Sequence, residues 1–485
     1  MKTLASSFFT LVVSSVLTAC GSGDSDNNNN SDPGQNSADQ GPYQGIWLAP
    51  AYGEAKKIDG KKLTEYQYTS DYCRVSHSDN DFTEQDARDA FYSLNTTNEP
   101  ATLQARLTIH GVDFRDPAFS QTTSLPASCN QPLDDSNASI EFAWFSQLFE
   151  EYYPTFNERN VNWQSVVQSA SQNLTDSSTA LQLIQAMAKS IQPLADSHVS
   201  LVIEDLEVNF ERQDSTQEQR LAKEFIAANG EIDSEAKAQA MASYIEQQTD
   251  LTNSIRLSYA ANEDEIKLAG NNRFGWFITD DNIGVLIIEG MEEFTSAEDN
   301  PVADINKVAE LMPQIINDLQ DTQGLVIDIR NNEGGFDGVS QLIARHFLDS
   351  ERALYRKQAR LGSARTPAET YRLAPASNTY LKPTVVLTSG TTVSAAEVFT
   401  LMMRELPQVS VIGEVTQGAL SDVLEKELPS GIKVNLVNEY YLSMDGELFE
   451  VSGIPVDKNV AYATQDQRQN RRDDGLLAAF NQLRP

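Results

Sequence analysis

The sequence predicts an α/β protein, and three observations predict it. Residues 275–465 alternate apolar β-like runs with helical periodicity, the order that builds a largely parallel sheet. From residue 138 the spacing of apolar residues lengthens to that of helices. Residues 43–135 break instead into short β-like runs between polar turns. An α/β core preceded by a helical bundle and a small β-rich N-terminal domain is the expected architecture, and 485 residues suffice for two to four such units.

Residues 1–20 read as a signal peptide. Lys2 supplies the charge, Phe8 to Leu17 the apolar run, and Leu17-Thr18-Ala19-Cys20 a small-residue cleavage site. Leu-Thr-Ala-Cys resembles the bacterial lipobox, which implies lipidation of Cys20. An ordinary secretory signal ending at a cysteine is the alternative. With Gly21 and Ser22 following, the resemblance implies a lipid anchor in the cell envelope of a Gram-negative-type bacterium, at the outer membrane. Residues 21–42, rich in Gly, Ser, Asn and Asp, read as a disordered linker. Beyond that anchor no membrane contact is expected. A net charge of −34, from 36 basic and 70 acidic side chains, argues against nucleic acid or an anionic lipid surface as a partner.

In the 43–135 domain, Gly45-Ile46-Trp47-Leu48, Thr64 to Tyr68 and Ala105 to Ile109 are candidate strands. The same domain carries Cys73 and Cys129, which an oxidising compartment would allow to pair. Phe142, Phe145, Phe149 and Tyr152 mark the first helical face of a bundle over 138–205. That bundle ends in Asp196-Ser197-His198-Val199-Ser200-Leu201, where helix gives way to strand. Residues 206–274 read as a charged helical insertion, with helices over Gln217 to Ala228 and Ser234 to Gln248. Within 275–465, strands are expected at Ile283 to Ile288, Leu325 to Ile329 and Thr384 to Leu387. Helices are expected at Val302 to Gln320 and Val339 to Leu348, and a C-terminal helix within 466–485.

The chemistry concentrates in residues 386–420. The apolar run Val385-Val386-Leu387 breaks at Ser389-Gly390. Ala395, Val398, Phe399, Met402 and Leu406 then follow helical spacing, which Pro407 ends. Ser394 thus opens a helix, where orphan N–H groups favour developing negative charge. Alone it would read as an N-cap, for which Ser is a preferred residue. A second stretch, Gly324 to Gly338, is a buried β run followed by a Gly-Gly turn able to aim N–H groups at an oxyanion.

Together Asp328-Ile329-Arg330-Asn331-Asn332-Glu333-Gly334-Gly335 and Val393-Ser394-Ala395-Ala396-Glu397 resemble the S41 family of serine peptidases. Gly413-Glu414-Val415-Thr416 and Gly453-Ile454-Pro455-Val456-Asp457 fit as well. The resemblance implies a crotonase-like (ClpP-like) spiral core and hydrolysis of peptide bonds in a peptide or unfolded protein substrate. It implies no metal or cofactor, and no residue pattern bears on oligomeric state.

Two kinds of base occur in that family. The tail-specific proteases use a lysine in a Gly-Lys-Gly turn, and here Ala419 stands in its place, with Lys426 and Lys433 outside the motif. The tricorn-like branch uses a Ser-His pair and a late Glu, which resemble Ser197, His198 and Glu450. Glu447 is a rival for the acid. The resemblance implies that Ser394 is the nucleophile, His198 the base, and Ser197 and Glu450 its orienting groups. Gly334 or Gly335, together with Ala395, would supply the oxyanion N–H groups. His346, within a helical run, reads as structural, and Asp328, Arg330 and Glu397 as ion-pair or capping residues. The peptide-tail-binding domain that many members carry near 206–262 has no counterpart in the residues there. A non-catalytic binding protein on the same fold, and an esterase, are the competing readings.

Overall fold

The computed structural model describes residues 41–484 except 91, 98, 99, 214, 298 and 299. The expected signal peptide, Cys20 and all but the last two residues of the expected linker lie outside the described residues.

The central sheet runs Lys267–Ala269, Phe274–Ile278, Ile283–Ile288, Gly324–Asp328, Thr384–Thr388, Val409–Gly413 and Lys458–Asn459. The first two pairings are antiparallel and the remaining four parallel. Its parallel strands are continuous apolar runs because both faces are covered. Leu286, Ile288, Leu325, Ile327 and Val386 pack under the helices Pro301–Leu319, Asp337–Ala344 and Ala395–Arg404. Val285, Ile287, Val326, Val385 and Leu387 point the other way, onto the terminal helix Asp474–Leu483.

Two boundaries differ from the sequence reading. The expected helical insertion over 206–274 is helical only at Gln217–Asn229 and Glu235–Leu257. Leu206–Phe210 is a strand paired with Asp196–Ile203, and Lys267–Ala269 and Phe274–Ile278 already belong to the central sheet. Leu206-Glu207-Val208-Asn209-Phe210 does alternate with period two, a short signal beside two charged helices. The bundle is also not separate from the core. Asp196–Ile203 pairs with Lys433–Val437, which pairs with Val423–Glu427. The helices Ala138–Tyr152, Trp163–Ala170 and Ala180–Ile191 cover this small sheet with one apolar cluster.

The N-terminal region forms an eight-stranded antiparallel sheet between Gly45 and Thr122, with Cys73 and Cys129 joined by a disulfide. It docks firmly on the rest of the chain. The Tyr52 hydroxyl donates to Glu439 at 2.6 Å, and Lys426, almost fully buried, pairs with Glu54 at 3.1 Å. Val112, at the start of the strand Val112–Arg115, is buried in the core cluster that holds the Asp337–Ala344 helix.

Candidate active site

Ser394 joins the strand Thr384–Thr388 to the helix Ala395–Arg404 with φ 58° and ψ −129°. A non-glycine residue pays about 1–3 kcal/mol for such a conformation, and strain of this kind collects at functional sites. Its hydroxyl does not cap the helix that it begins. The N-cap reading therefore fails, and the half-buried side chain is left free for chemistry.

The loop after Gly324–Asp328 runs directly beside Ser394. A Cβ on Gly334 would lie 2.6 Å from the Ser394 Cβ and 3.0 Å from the Val393 carbonyl, and Gly334 has φ +100°. Both the close approach and the left-handed backbone require glycine. Its N–H, however, donates to Asn332 Oδ1 at 2.9 Å, so Gly334 is not an oxyanion donor. A short polar side chain two residues upstream claims that N–H, a contact that sequence spacing does not reveal. The N–H groups of Gly335 and Ala395 have no acceptor among the described residues. The second is an orphan donor of the helix's first turn.

His198 stands on Asp196–Ile203, and its Nδ1 lies 2.7 Å from the carbonyl oxygen of Ser421. A carbonyl can only accept. This assigns the proton of the neutral ring to Nδ1 and leaves the Nε2 lone pair open to take a proton. The Ser394 N–H donates to the carbonyl of Ala419 at 3.0 Å. Ser394 and His198 are thus fixed to carbonyls two residues apart on one short loop, 416–421.

Two buried acidic side chains hold that loop. Glu397 accepts from the Thr416 hydroxyl at 2.5 Å and from the N–H groups of Gly418 and Ala419, each at 2.8 Å. Glu450 accepts the N–H groups of Leu420 and Ser421 at 2.9 and 3.1 Å through Oε2. Of the two rival acids, Glu447 is exposed and Glu450 is buried against this loop. Glu450 thus reaches His198 through the backbone of Ser421. The expected part for Ser197, orienting the base by its side chain, is not seen. Adjacent strand residues face opposite sides, and the buried Ser197 hydroxyl has no hydrogen-bond partner among the described residues. The oxygen Glu450 Oε1 is equally without a partner. Asp196, beneath them, accepts from the Tyr153 hydroxyl at 2.7 Å and pairs with Arg159 at 2.9 Å.

Burial, with Asp196 nearby adding repulsion, raises the Glu450 carboxyl to about 8, while Arg159 opposes the shift. Glu397 rises to about 7 by burial. Between its ordinary 4.5 and about 8, folded Glu450 holds a proton that the unfolded chain releases. Its contribution to stability is then complete below 4.5 and is lost as pH rises through about 8. Urea unfolding across this range is expected to show stability falling with pH. Glu450→Gln, which keeps an acceptor but cannot titrate, should reduce that slope by up to about 1.4 kcal/mol per pH unit. An unchanged slope would mean that Glu450 is ionised in the fold.

Among the other histidines, His346 is buried with Nδ1 2.8 Å from the Asn378 carbonyl and lies outside this cluster. His77 and His110 are exposed. Lys426 is engaged by Glu54, and Ala419 is buried where a lysine base would stand. Sequence reasoning missed the Ser421 carbonyl, since a backbone acceptor has no residue signature. It also undervalued Glu397, whose place one helical turn into a Ser-headed helix was the available signal.

Residues 282–460 match the model of peptidase family S41. The carboxy-terminal processing protease CtpA of Bacillus subtilis is 29% identical over 178 residues, which cover 36% of this chain and 34% of that protein. A "Probable CtpA-like serine protease" of Staphylococcus haemolyticus is 26% identical over 182 residues, or 37% of this chain and 34% of that protein. The chain thus spans about a third of the length of either relative. A crystal structure of a candidate peptidase from Parabacteroides merdae shares the fold, with a TM-score of 0.56 at 22% identity over 72% of this chain and 98% of that one. The matched family segment holds Ser394, Gly335 and Glu450 but not His198, which the strand pairing with Lys433–Val437 brings to it.

Proposed function

We propose that the chain is a serine endopeptidase of family S41, whose model its residues 282–460 match, working with a histidine base. The observation that carries the proposal is the 416–421 loop, whose carbonyls take the Ser394 N–H and the His198 Nδ1–H two residues apart. Ser394 Oγ attacks the peptide carbonyl carbon as His198 Nε2 takes its proton. The N–H groups of Gly335 and Ala395 hold the oxyanion, and the C–N bond breaks as His198 protonates the leaving amine. A water then enters, His198 takes its proton, and the acyl–Ser394 ester is cleaved to acid and free serine. Glu397 and Glu450 keep the loop, and with it the base, in register. Ser197, without an observed partner, has at most an indirect part.

The same reading takes the curled sheet with its flanking helices as the family's crotonase-like spiral. It makes the enzyme an exported lipoprotein, anchored through Cys20 in the cell envelope and acting on peptides or unfolded proteins. A fluorophosphonate probe tests the chemistry. It should label the wild type at Ser394, fail on Ser394→Ala, and label His198→Ala only weakly. Labelling that survives Ser394→Ala would put the nucleophile elsewhere.

Gly334→Ala should cost stability and, in the folded protein, lower kcat by about 10²–10³-fold, the scale of a lost oxyanion donor. The new Cβ meets the Ser394 Cβ and backbone rather than a flexible side chain, so the loop carrying Gly335 must shift. Kinetics within two-fold of wild type would remove this loop from the site.

A further inference from the structure

Beside the catalytic loop, lined by Ser197, Gly418 and Ala419 but not by His198, is a cavity of about 240 Å³. Two arginines, Arg159 and Arg212, stand in its wall. Arg159 has its charge matched by Asp196 at 2.9 Å, and it donates to the carbonyls of Leu194 and Ala195 at 2.7 and 3.0 Å. Its side chain is only 7% exposed, yet Nε has no acceptor among the described residues. Arg212 donates to the Thr416 carbonyl at 3.3 Å and forms no ion pair among the described residues. In a chain with 70 acidic and 36 basic side chains, a guanidinium without a carboxylate on a cavity wall is a place prepared for one. Glu158 is the one acid among the lining residues, and it is exposed.

We infer that this cavity receives a carboxylate of the peptide substrate, read by Arg212. The volume suits one side chain or a chain terminus, being below the roughly 300–1,000 Å³ of small-molecule sites. Its wall includes Ala419, whose carbonyl accepts the Ser394 N–H, so the cavity and Ser394 share one loop. The inference rests on the peptidase reading for the identity of the ligand as a peptide.

The test uses the full chain carrying Ser394→Ala and a positional peptide library. Each position is Glu or Gln in turn, with the C-terminus free or amidated, and binding is read by fluorescence anisotropy. The expected result is a preference of about ten-fold for one carboxylate over its amide, abolished by adding Arg212→Gln. Gln-bearing amidated peptides should bind both proteins alike, and Arg212→Lys should keep part of the preference. Preference at an internal position would assign a side chain, and preference for the free terminus a chain end. No preference, a preference that survives Arg212→Gln, or equal weakening for every peptide would overturn the inference. Because binding is measured without turnover, these outcomes are separate from fluorophosphonate labelling of Ser394, on which the peptidase reading stands.

Discussion

Replacing His198 with alanine is expected to slow peptide hydrolysis by on the order of 10⁴- to 10⁶-fold, with the protein still folded. The ring is half-buried and makes one side-chain hydrogen bond among the described residues, to the Ser421 carbonyl, so little packing is lost. In the proposed mechanism, what disappears is the acceptor for the Ser394 proton. A serine hydroxyl at neutral pH is a poor nucleophile without it. The double variant with Ser394→Ala should be no slower than either single one, because the two groups act as a unit. Ser197→Ala should cost far less, since its hydroxyl makes no hydrogen bond among the described residues. If His198→Ala kept a tenth of wild-type activity, or Ser197→Ala matched it, the assignment of the base would fall. Steady-state kinetics on one peptide, with circular dichroism to certify folding, decides the matter.

Much of this arrangement could be read from residue order alone, and the reasons are physical. Fully buried parallel strands are apolar on both faces, so Ile283 to Ile288 and Thr384 to Leu387 stand out as continuous runs, and they are found at Ile283–Ile288 and Thr384–Thr388. The glycine beside Ser394 was legible because no other residue tolerates both that φ and that approach. Three features were hidden. The partner of His198 is a carbonyl, common to every residue. The Gly334 N–H is spent on Asn332, a contact set by loop geometry. The third is the small sheet uniting Asp196–Ile203 with Lys433–Val437, which joins residues more than two hundred positions apart and has no local signal. Side-chain chemistry announces itself in sequence, whereas backbone chemistry is visible only once the chain is folded.

Arg330→Ala is expected to destabilise the protein by about 3–5 kcal/mol, the cost of leaving buried charges without their partner. Arg330 is 1% exposed and lies between two carboxylates. It donates through Nε and Nη2 to Asp328 at 2.9 and 2.7 Å, and to Asp473 at 2.8 Å from each terminal nitrogen. Its guanidinium also lies over the Tyr462 ring, 4.3 Å from the centroid. Burial alone would raise the Asp328 carboxyl, but Arg330 and Arg256 hold it down at about 2. With Arg330 gone, Arg256 at 3.6 Å is the remaining cation beside Asp328. The consequence extends to the site. The Arg330 carbonyl accepts from the Ser389 hydroxyl at 2.5 Å, and the Ile329 carbonyl from the Thr392 hydroxyl at 2.9 Å. The end of the strand Gly324–Asp328 is thereby joined to the turn that presents Ser394. Arg330→Lys, a point charge that cannot fork between two carboxylates, should fall between the two proteins. Urea unfolding gives the energy, and labelling by fluorophosphonate as temperature rises shows whether the site loosens with it. A loss below about 1 kcal/mol would mean that the network is worth no more than a surface ion pair.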